Sequence, residues 1–354
     1  MAELPFDPAA IPAALLGWYA RAGRDLPWRQ TRDPYRIWLS EIMLQQTGVA
    51  AVTDYYRRFL ENFPTVGQLA AAPLETVIDL WAGLGYYARA RNLHATARRI
   101  VKEHAETFPD QPEELMRLPG IGRSTAGAIS ALAFDKRAPI LDGNVRRILC
   151  RLCAWREAPR SARAEQQFWR WAELLTPRRQ VHDYTQAIMD LGATVCTPRA
   201  PACAACPLDR FCQARKLGLE RELPLKQPAK QVPLRVETAL LLCRDGTYLV
   251  RRRPADGLLG GLWEFPTRPV PAGKTPQAQA EALLLEQGGA GPLRTLGQIS
   301  HRYSHFRLEL HLFHATLAGS FRIAENLRDW RSQPELKKLA LHGAHKKGLK
   351  LLGG

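Results

Sequence analysis

A chain of 354 residues is longer than a single hydrophobic core ordinarily needs, so two domains are expected. A hydrophobic share of 46% beside 24% charged residues excludes a disordered chain, and no apolar run approaches the length of a membrane-spanning helix. Fifty Lys and Arg against 34 Asp and Glu leave a net charge of +16. That excess favours a polyanionic partner, because cations that displace counterions from phosphates gain affinity for any nucleic acid. The chain opens with Glu3 and Asp7 and no basic segment, unlike a secretion signal, so an intracellular protein is expected. Seven cysteines in a reducing compartment argue for metal binding over a disulfide framework.

Residues 1–212 read as a run of helices. Asp33-Pro34 is an N-cap followed by proline at the first helical position, predicting a helix through Gln46. Pro73 starts the next, with Leu74, Val77, Ile78 and Trp81 at helical spacing, and Gly83-Leu84-Gly85 ends it. A basic, partly apolar helix follows over 89–102. The stretch 213–234 mixes charges with Pro224, Pro228 and Pro233 and reads as a connector. Beyond it, 236–243 and 248–252 read as strands around the turn Asp245-Gly246, and 301–317 as further strand. The expected division is an all-α domain over 1–212, a linker over 213–234, a smaller α+β domain over 235–343 and a mobile basic tail over 344–354.

Cys196, Cys203, Cys206 and Cys212 are separated by six, two and five residues. Four thiolates so close in sequence can close around one soft metal centre, either iron–sulfur or zinc. Such a closed site leaves no position for substrate, so its role is structural, and Arg199 and Arg210 between the cysteines suggest that the loop holds cations against a phosphate. Cys150 and Cys153 sit beside Ile148, Leu149 and Leu152 on a predicted helix and read as core. Leu118-Pro119-Gly120-Ile121-Gly122 precedes a small-residue helix over 123–133. Its glycines permit a tight turn and close backbone approach, and amides at a helix start attract an anion. Such a turn grips a DNA phosphate without reading sequence.

The order of this glycine hairpin, then Asp142-Gly143-Asn144-Val145-Arg146-Arg147, then the cysteine loop resembles the helix-hairpin-helix glycosylase superfamily of endonuclease III. Leu26-Pro27-Trp28-Arg29, the segment Trp38 to Thr47 and Gly83-Leu84-Gly85-Tyr86-Tyr87-Ala88-Arg89 narrow the resemblance to its adenine DNA glycosylase branch. The resemblance implies base-excision repair of double-stranded DNA: hydrolysis of the N-glycosidic bond of adenine mispaired with 8-oxoguanine or guanine, after the nucleotide is flipped out of the stack. It also makes the cysteine loop a [4Fe-4S] site, and Gly120, Gly122, Ser124 and Arg199 the phosphate contacts. A monomer is expected, associated with DNA in the cytoplasm or nucleoid if the source is bacterial.

Two carboxyl groups in unlike environments can protonate a leaving base and support positive charge on the sugar. Glu41 lies among Ile37, Trp38, Leu39, Ile42, Met43 and Leu44, surroundings that keep a carboxyl protonated and suit a general acid. The resemblance assigns it protonation of adenine at N7. It assigns Asp142, otherwise a helix cap, to stabilising the oxocarbenium-like sugar, with Asn144 beside it. Trp28 and Arg29 would line the base pocket, Gln186 would reach the base edge, and Leu44, Gln46 and Tyr86 would fill or wedge the opened stack. Superfamily members that also cut the strand use a lysine in the hairpin helix, where this chain has Ser124. Simple hydrolysis is therefore expected, and a bifunctional glycosylase/lyase for oxidised bases is the alternative.

The C-terminal domain resembles the Nudix-like module of the same family through Gly260 to Pro266 and Tyr303-Ser304-His305-Phe306. A Nudix hydrolase needs several glutamates on one helix, and the region 274–290 offers only Glu281 and Glu286. Recognition of the opposite base is the expected role, with Ser304 and His305 as hydrogen-bonding groups and Tyr303 where the family usually has phenylalanine.

Overall fold

The computed structural model describes residues 3–226, 231–254, 257–303, 305–317 and 328–353. By their internal contacts the residues divide into two compact units, Met1–Ala72 with Asn92–Pro228, and Pro73–Arg91 with Ala229–Gly354. No helix among the described residues is long and apolar enough to cross a membrane.

The first unit is helical. Its elements are α1 (Ala10–Ala22), α2 (Pro34–Leu44), α3 (Val49–Asn62) and α4 (Val66–Ala71). After α5 (Leu74–Trp81), which belongs to the second unit, come α6 (Ala88–His104), α7 (Pro112–Leu115) and α8 (Arg123–Phe134). Then follow α9 (Gly143–Leu152), α10 (Ala162–Leu175), α11 (Val181–Asp190) and the single turn α12 (Gln213–Lys216). Asp33 caps α2 by accepting from the Tyr35 amide at 2.9 Å, with Pro34 in the first turn as expected. The helix stops at Leu44, two residues early, because Gln46 takes a left-handed φ of 60° that a helix cannot contain.

Helix α8 is almost entirely buried through Ala126, Gly127, Ala128, Ile129, Ser130 and Ala131. Such small side chains let neighbours approach closely: a Cβ on Gly127 would stand 2.3 Å from the Pro139 carbonyl oxygen. Around it the core gathers Ile11, Leu15, Ile37, Val145, Ile148, Leu149, Phe168, Trp171 and Ile188. Cys150 is fully buried in this core and Cys153 packs against it.

Three boundaries differ from the sequence reading. The expected connector begins inside the helical unit, since Ala214 and Leu223 are buried in its core. Pro73–Arg91 joins the C-terminal unit, where Asp79 on α5 pairs with Arg252 at 3.1 Å. The expected mobile tail folds instead as α15 (Gly343–Gly348) and a 3-10 turn, with Ala344, His345 and Leu349 buried. Apolar residues at 344, 349, 351 and 352 find the sheet's core, so the lysines between them mark only the solvent side.

The second unit is a mixed sheet with helices. Its strands are β1 (Leu234–Arg244), β2 (Thr247–Arg252), β3 (Trp263–Glu264), β4 (Thr267–Pro269), β5 (Arg294–Arg302), β6 (Arg307–Thr316) and β7 (Arg328–Ser332). The order is β3-β2-β1-β6-β5, with β4 pairing β1 and β7 pairing β2. Asp245 and Gly246 both take positive φ, as the tight hairpin between β1 and β2 requires. The single strand expected over 301–317 is two, because the chain reverses between Arg302 and Arg307 to pair β5 with β6 antiparallel. Strand β6 then runs parallel to β1 over its whole length. Leu241, Val250, Phe265 and Leu310 fill one face with Ala344 and Leu336 of α14 (Gln333–Lys338), while Leu240, Leu249 and Phe313 fill the other against α13 (Pro276–Glu286).

Candidate active site

Helices α2, α8, α9 and α11 of the first unit surround a cavity of about 520 Å³, within the usual size of a small-molecule site. Glu41 and Asp142 both line it, with Trp28, Arg29, Leu44, Ser124, Asn144 and Gln186. Eight positions spread over 159 residues of sequence, from Trp28 to Gln186, thus meet in one concavity. Burial, reinforced by the charge of Asp142, raises the Glu41 carboxyl from 4.5 to about 7 against the pull of Arg29. Glu41 is therefore substantially protonated at neutral pH, facing a cavity rather than bulk water.

Asp142 caps α9, accepting from the Val145 amide at 2.8 Å. Burial raises its pKa as well, opposed by the amides of Val145 and Asn144 and the charges of Arg147 and Arg146. The two acids thus differ in kind: Asp142 has amides and cations that support its ionised form, whereas the burial of Glu41 is countered by the charge of Arg29.

Asn144 is oriented by Arg147, whose Nη2 donates to Asn144 Oδ1 at 2.8 Å and to the Gly192 carbonyl at 2.7 Å. The same guanidinium donates through Nε to the carbonyl of Cys196 at 2.8 Å. Gly192 belongs to a π-helical turn, Leu191–Val195, that follows α11 and delivers the chain to Cys196. A Cβ on Gly192 would lie 2.5 Å from the Asn144 Cβ, so only glycine admits this approach.

The four cysteines line a second, small cavity of about 30 Å³ with Arg151 and Arg215. Arg151, 2% exposed, donates to the carbonyls of Leu223, Thr197 and Pro198 and to Cys196 Sγ at 3.3 Å. Among the described residues, no three of these sulfurs lie mutually within 4.8 Å. A single tetrahedral zinc at about 2.3 Å from each thiolate would draw them to about 3.8 Å apart. Four thiols facing one small cavity are a donor set that suits a soft metal centre.

In the hairpin, Gly120 takes a φ of 76°, and its Cβ would meet that of Asn92 at 2.8 Å. Gly122 caps α8 with open space before it. Ser124 Oγ accepts from the Leu141 amide at 3.0 Å and lines the active-site cavity, so it bridges the hairpin helix and the segment carrying Asp142. Arg199 is exposed.

Residues 39–174 match the family model described as HhH-GPD superfamily base excision DNA repair protein, and residues 238–351 match the NUDIX domain. The human adenine DNA glycosylase is 37% identical, over 98% of this chain and 74% of that protein. The chain belongs to the adenine DNA glycosylase family. The adenine DNA glycosylase of Buchnera aphidicola subsp. Acyrthosiphon pisum is 35% identical over 84% of this chain and 83% of its own. A thermostable thymine-DNA glycosylase matches 60% of this chain and 97% of its own, with a TM-score of 0.55 and 27% identity. As an adenine DNA glycosylase, the chain is an enzyme of base-excision repair acting on DNA, with a helix-hairpin-helix domain and a Nudix-like domain.

The remaining sequence candidates of this adenine DNA glycosylase fall as follows. Gln46 is exposed. Tyr86, 46% exposed and with a φ of 51°, belongs to the C-terminal unit, as do Tyr303 and the exposed His305. Ser304 lies outside the described residues. Tyr303 faces inward: its hydroxyl lies 2.8 Å from His342 Nδ1 and accepts from the Ala344 amide at 3.2 Å, and its ring stacks on Phe306. Behind it, Arg251 and Arg253 pair with the buried Glu264, and together with His342 they hold it down to about 2 against the opposing effect of burial.

Sequence reasoning missed Arg24, His182, Asp190 and Arg147. Asp190 is fully buried and accepts from Arg29 at 2.6 Å and from Arg24 at 2.7 Å. Against burial, these bonds keep it below the usual carboxylate range. The only local signal was an acid on an apolar helix face, with partners 161 and 166 residues away.

Proposed function

We propose that the enzyme hydrolyses the N-glycosidic bond of adenine lying opposite 8-oxoguanine or guanine in duplex DNA, on an extruded nucleotide and without cutting the strand. The observation that carries this is the pairing, in one cavity, of a carboxyl raised to about 7 with a second, amide-capped carboxyl. A protonated Glu41 can deliver its proton to N7 and convert adenine into a better leaving group. As the bond stretches, positive charge develops on the sugar, and ionised Asp142 stabilises it, with Asn144 held beside it. Water completes the hydrolysis.

Strand cleavage by β-elimination would need an amine to form a Schiff base. Among the described residues, the cavity lining contains arginines but no lysine, and Ser124 stands at the start of the hairpin helix. The hairpin amides and Arg199 would hold phosphates. Tyr303, Ser304 and His305 would examine the base opposite. Cys196, Cys203, Cys206 and Cys212 would hold one [4Fe-4S] cluster, which when bound supplies a structural pin for the loop. We further read the enzyme as a monomer working on DNA inside the cell.

The test is a single-turnover incubation with labelled duplexes carrying adenine opposite 8-oxoguanine or guanine, resolved with and without alkali. Strand breakage only after alkali is the expected result. Breakage without alkali favours the bifunctional alternative, and intact strands in both lanes refute the substrate assignment.

A further inference from the structure

Helix α11 carries His182 and Gln186 one turn apart, and both line the cavity that holds Glu41 and Asp142. Gln186 is 3% exposed and engaged at both ends of its amide. Its Oε1 accepts from the Tyr19 hydroxyl on α1, and its Nε2 lies 2.7 Å from His182 Nε2. Two nitrogens at that distance share one proton: one donates and the other accepts. The far side of the imidazole decides which. His182 Nδ1 lies 2.8 Å from Asp183 Oδ1, and an ionised carboxylate can only accept. The ring proton therefore sits on Nδ1, Nε2 presents a lone pair, and the amide nitrogen of Gln186 donates to it. Asp183, His182, Gln186 and Tyr19 form a chain with one allowed polarity.

We propose that His182, in the tautomer fixed by Asp183, positions the Gln186 amide and thereby sets the enzyme's preference for a 6-aminopurine over a 6-oxopurine. This rests on the reading of the cavity as an adenine pocket. Beyond its internal bonds, Gln186 keeps one Oε1 lone pair and one Nε2 hydrogen. An amide so oriented can accept from the 6-amino group of adenine while donating to a neighbouring ring nitrogen. Hypoxanthine inverts the pattern on its pairing edge, with an acceptor at position 6 and an N–H at position 1. Against the same amide it meets lone pair with lone pair and hydrogen with hydrogen.

Protonation of His182 would reverse the chain, because an imidazolium has only donors and Gln186 must then turn its oxygen towards the ring. Charged groups face His182 from three elements. Asp183 is on its own helix, Asp135 at the end of α8 accepts the His182 backbone amide at 2.9 Å, and Arg32 precedes α2. Burial, helped by Arg32, lowers the His182 pKa against the opposing pull of Asp183 and Asp135, which keeps the ring neutral and its polarity fixed at neutral pH.

The experiment compares wild-type enzyme with His182→Gln and His182→Lys in single-turnover excision from duplexes with adenine or hypoxanthine opposite 8-oxoguanine, across a pH series. Glutamine can offer a carbonyl oxygen in place of the Nε2 lone pair and is expected to keep the wild-type adenine-to-hypoxanthine ratio, independent of pH. Lysine offers only donors and is expected to shift the ratio towards hypoxanthine by about tenfold or more. The wild-type ratio should fall as pH drops through the titration of His182. A lysine variant within about twofold of wild type, or a wild-type ratio that does not change with pH, overturns the proposal. If the lysine variant does not fold, the pH series of wild type against the glutamine variant decides. A wild-type enzyme that releases no adenine refutes the underlying pocket assignment instead.

Discussion

Replacing Glu41 by glutamine should make the helical unit more stable while abolishing excision. Holding a carboxyl at about 7 in place of its ordinary 4.5 means that the folded state disfavours the ionised form. At about 1.4 kcal/mol for each pH unit of displacement, the penalty approaches about 3 kcal/mol once Glu41 is fully ionised. The sign follows from proton linkage. Between pH 4.5 and 7 the folded chain binds more protons at this site than the unfolded chain, so wild-type stability falls as pH rises through that window. Glutamine has no charge to desolvate and nearly the same shape. The variant should therefore match wild type near pH 4 and exceed it by about 3 kcal/mol above pH 8. Denaturant unfolding of both proteins at closely spaced pH values, followed by a probe in the helical unit, reads this difference. Equal stability at every pH would show that water reaches Glu41 freely, and the general-acid argument would fall with it.

Other substitutions probe the remaining parts of the site. Gly192→Ala drives a Cβ into Asn144 at 2.5 Å, so it should cost about 1–3 kcal/mol and depress single-turnover excision more than DNA affinity, measured by titration against an uncleavable duplex. Arg151→Met leaves the carbonyls of Leu223, Thr197 and Pro198 buried without their donor. It should destabilise the cysteine loop by about 3 kcal/mol or more and lower the iron content of purified protein. Tyr303→Phe restores the usual family residue but strands His342 Nδ1 and the Ala344 amide, so it should lower the unfolding free energy of the C-terminal unit by about 1 kcal/mol.

What the sequence made legible follows a physical divide. Asp33-Pro34 announces a helix start, Asp245-Gly246 a hairpin, and the glycine hairpin a close backbone approach, because each effect lies within a few residues of its cause. Glu41 and the four cysteines suggested chemistry through their neighbours and spacing, whereas Asp142 read locally as a helix cap and took a further role only from the family resemblance. Their shared cavities were not deducible from those neighbours alone. Asp190 was hidden because its two arginine partners arrive from the other end of the helical unit, and His182 because its meaning lies in which nitrogen carries a proton. The tail misled through composition: lysines dominated it, while the few apolar residues that decide its docking were sparse.

Arg147 ties the cysteine loop to the cavity that holds Glu41 and Asp142. One guanidinium fixes both the Asn144 side chain and the backbone of the first cysteine in the loop. The guanidinium is held a third time by the Gly192 carbonyl at 2.7 Å, so the aim of Asn144 depends on both the π-helical turn and the start of the cysteine loop. A displacement of the cysteine loop would therefore be felt inside the cavity through one side chain, which makes the loop and the cavity mechanically one piece.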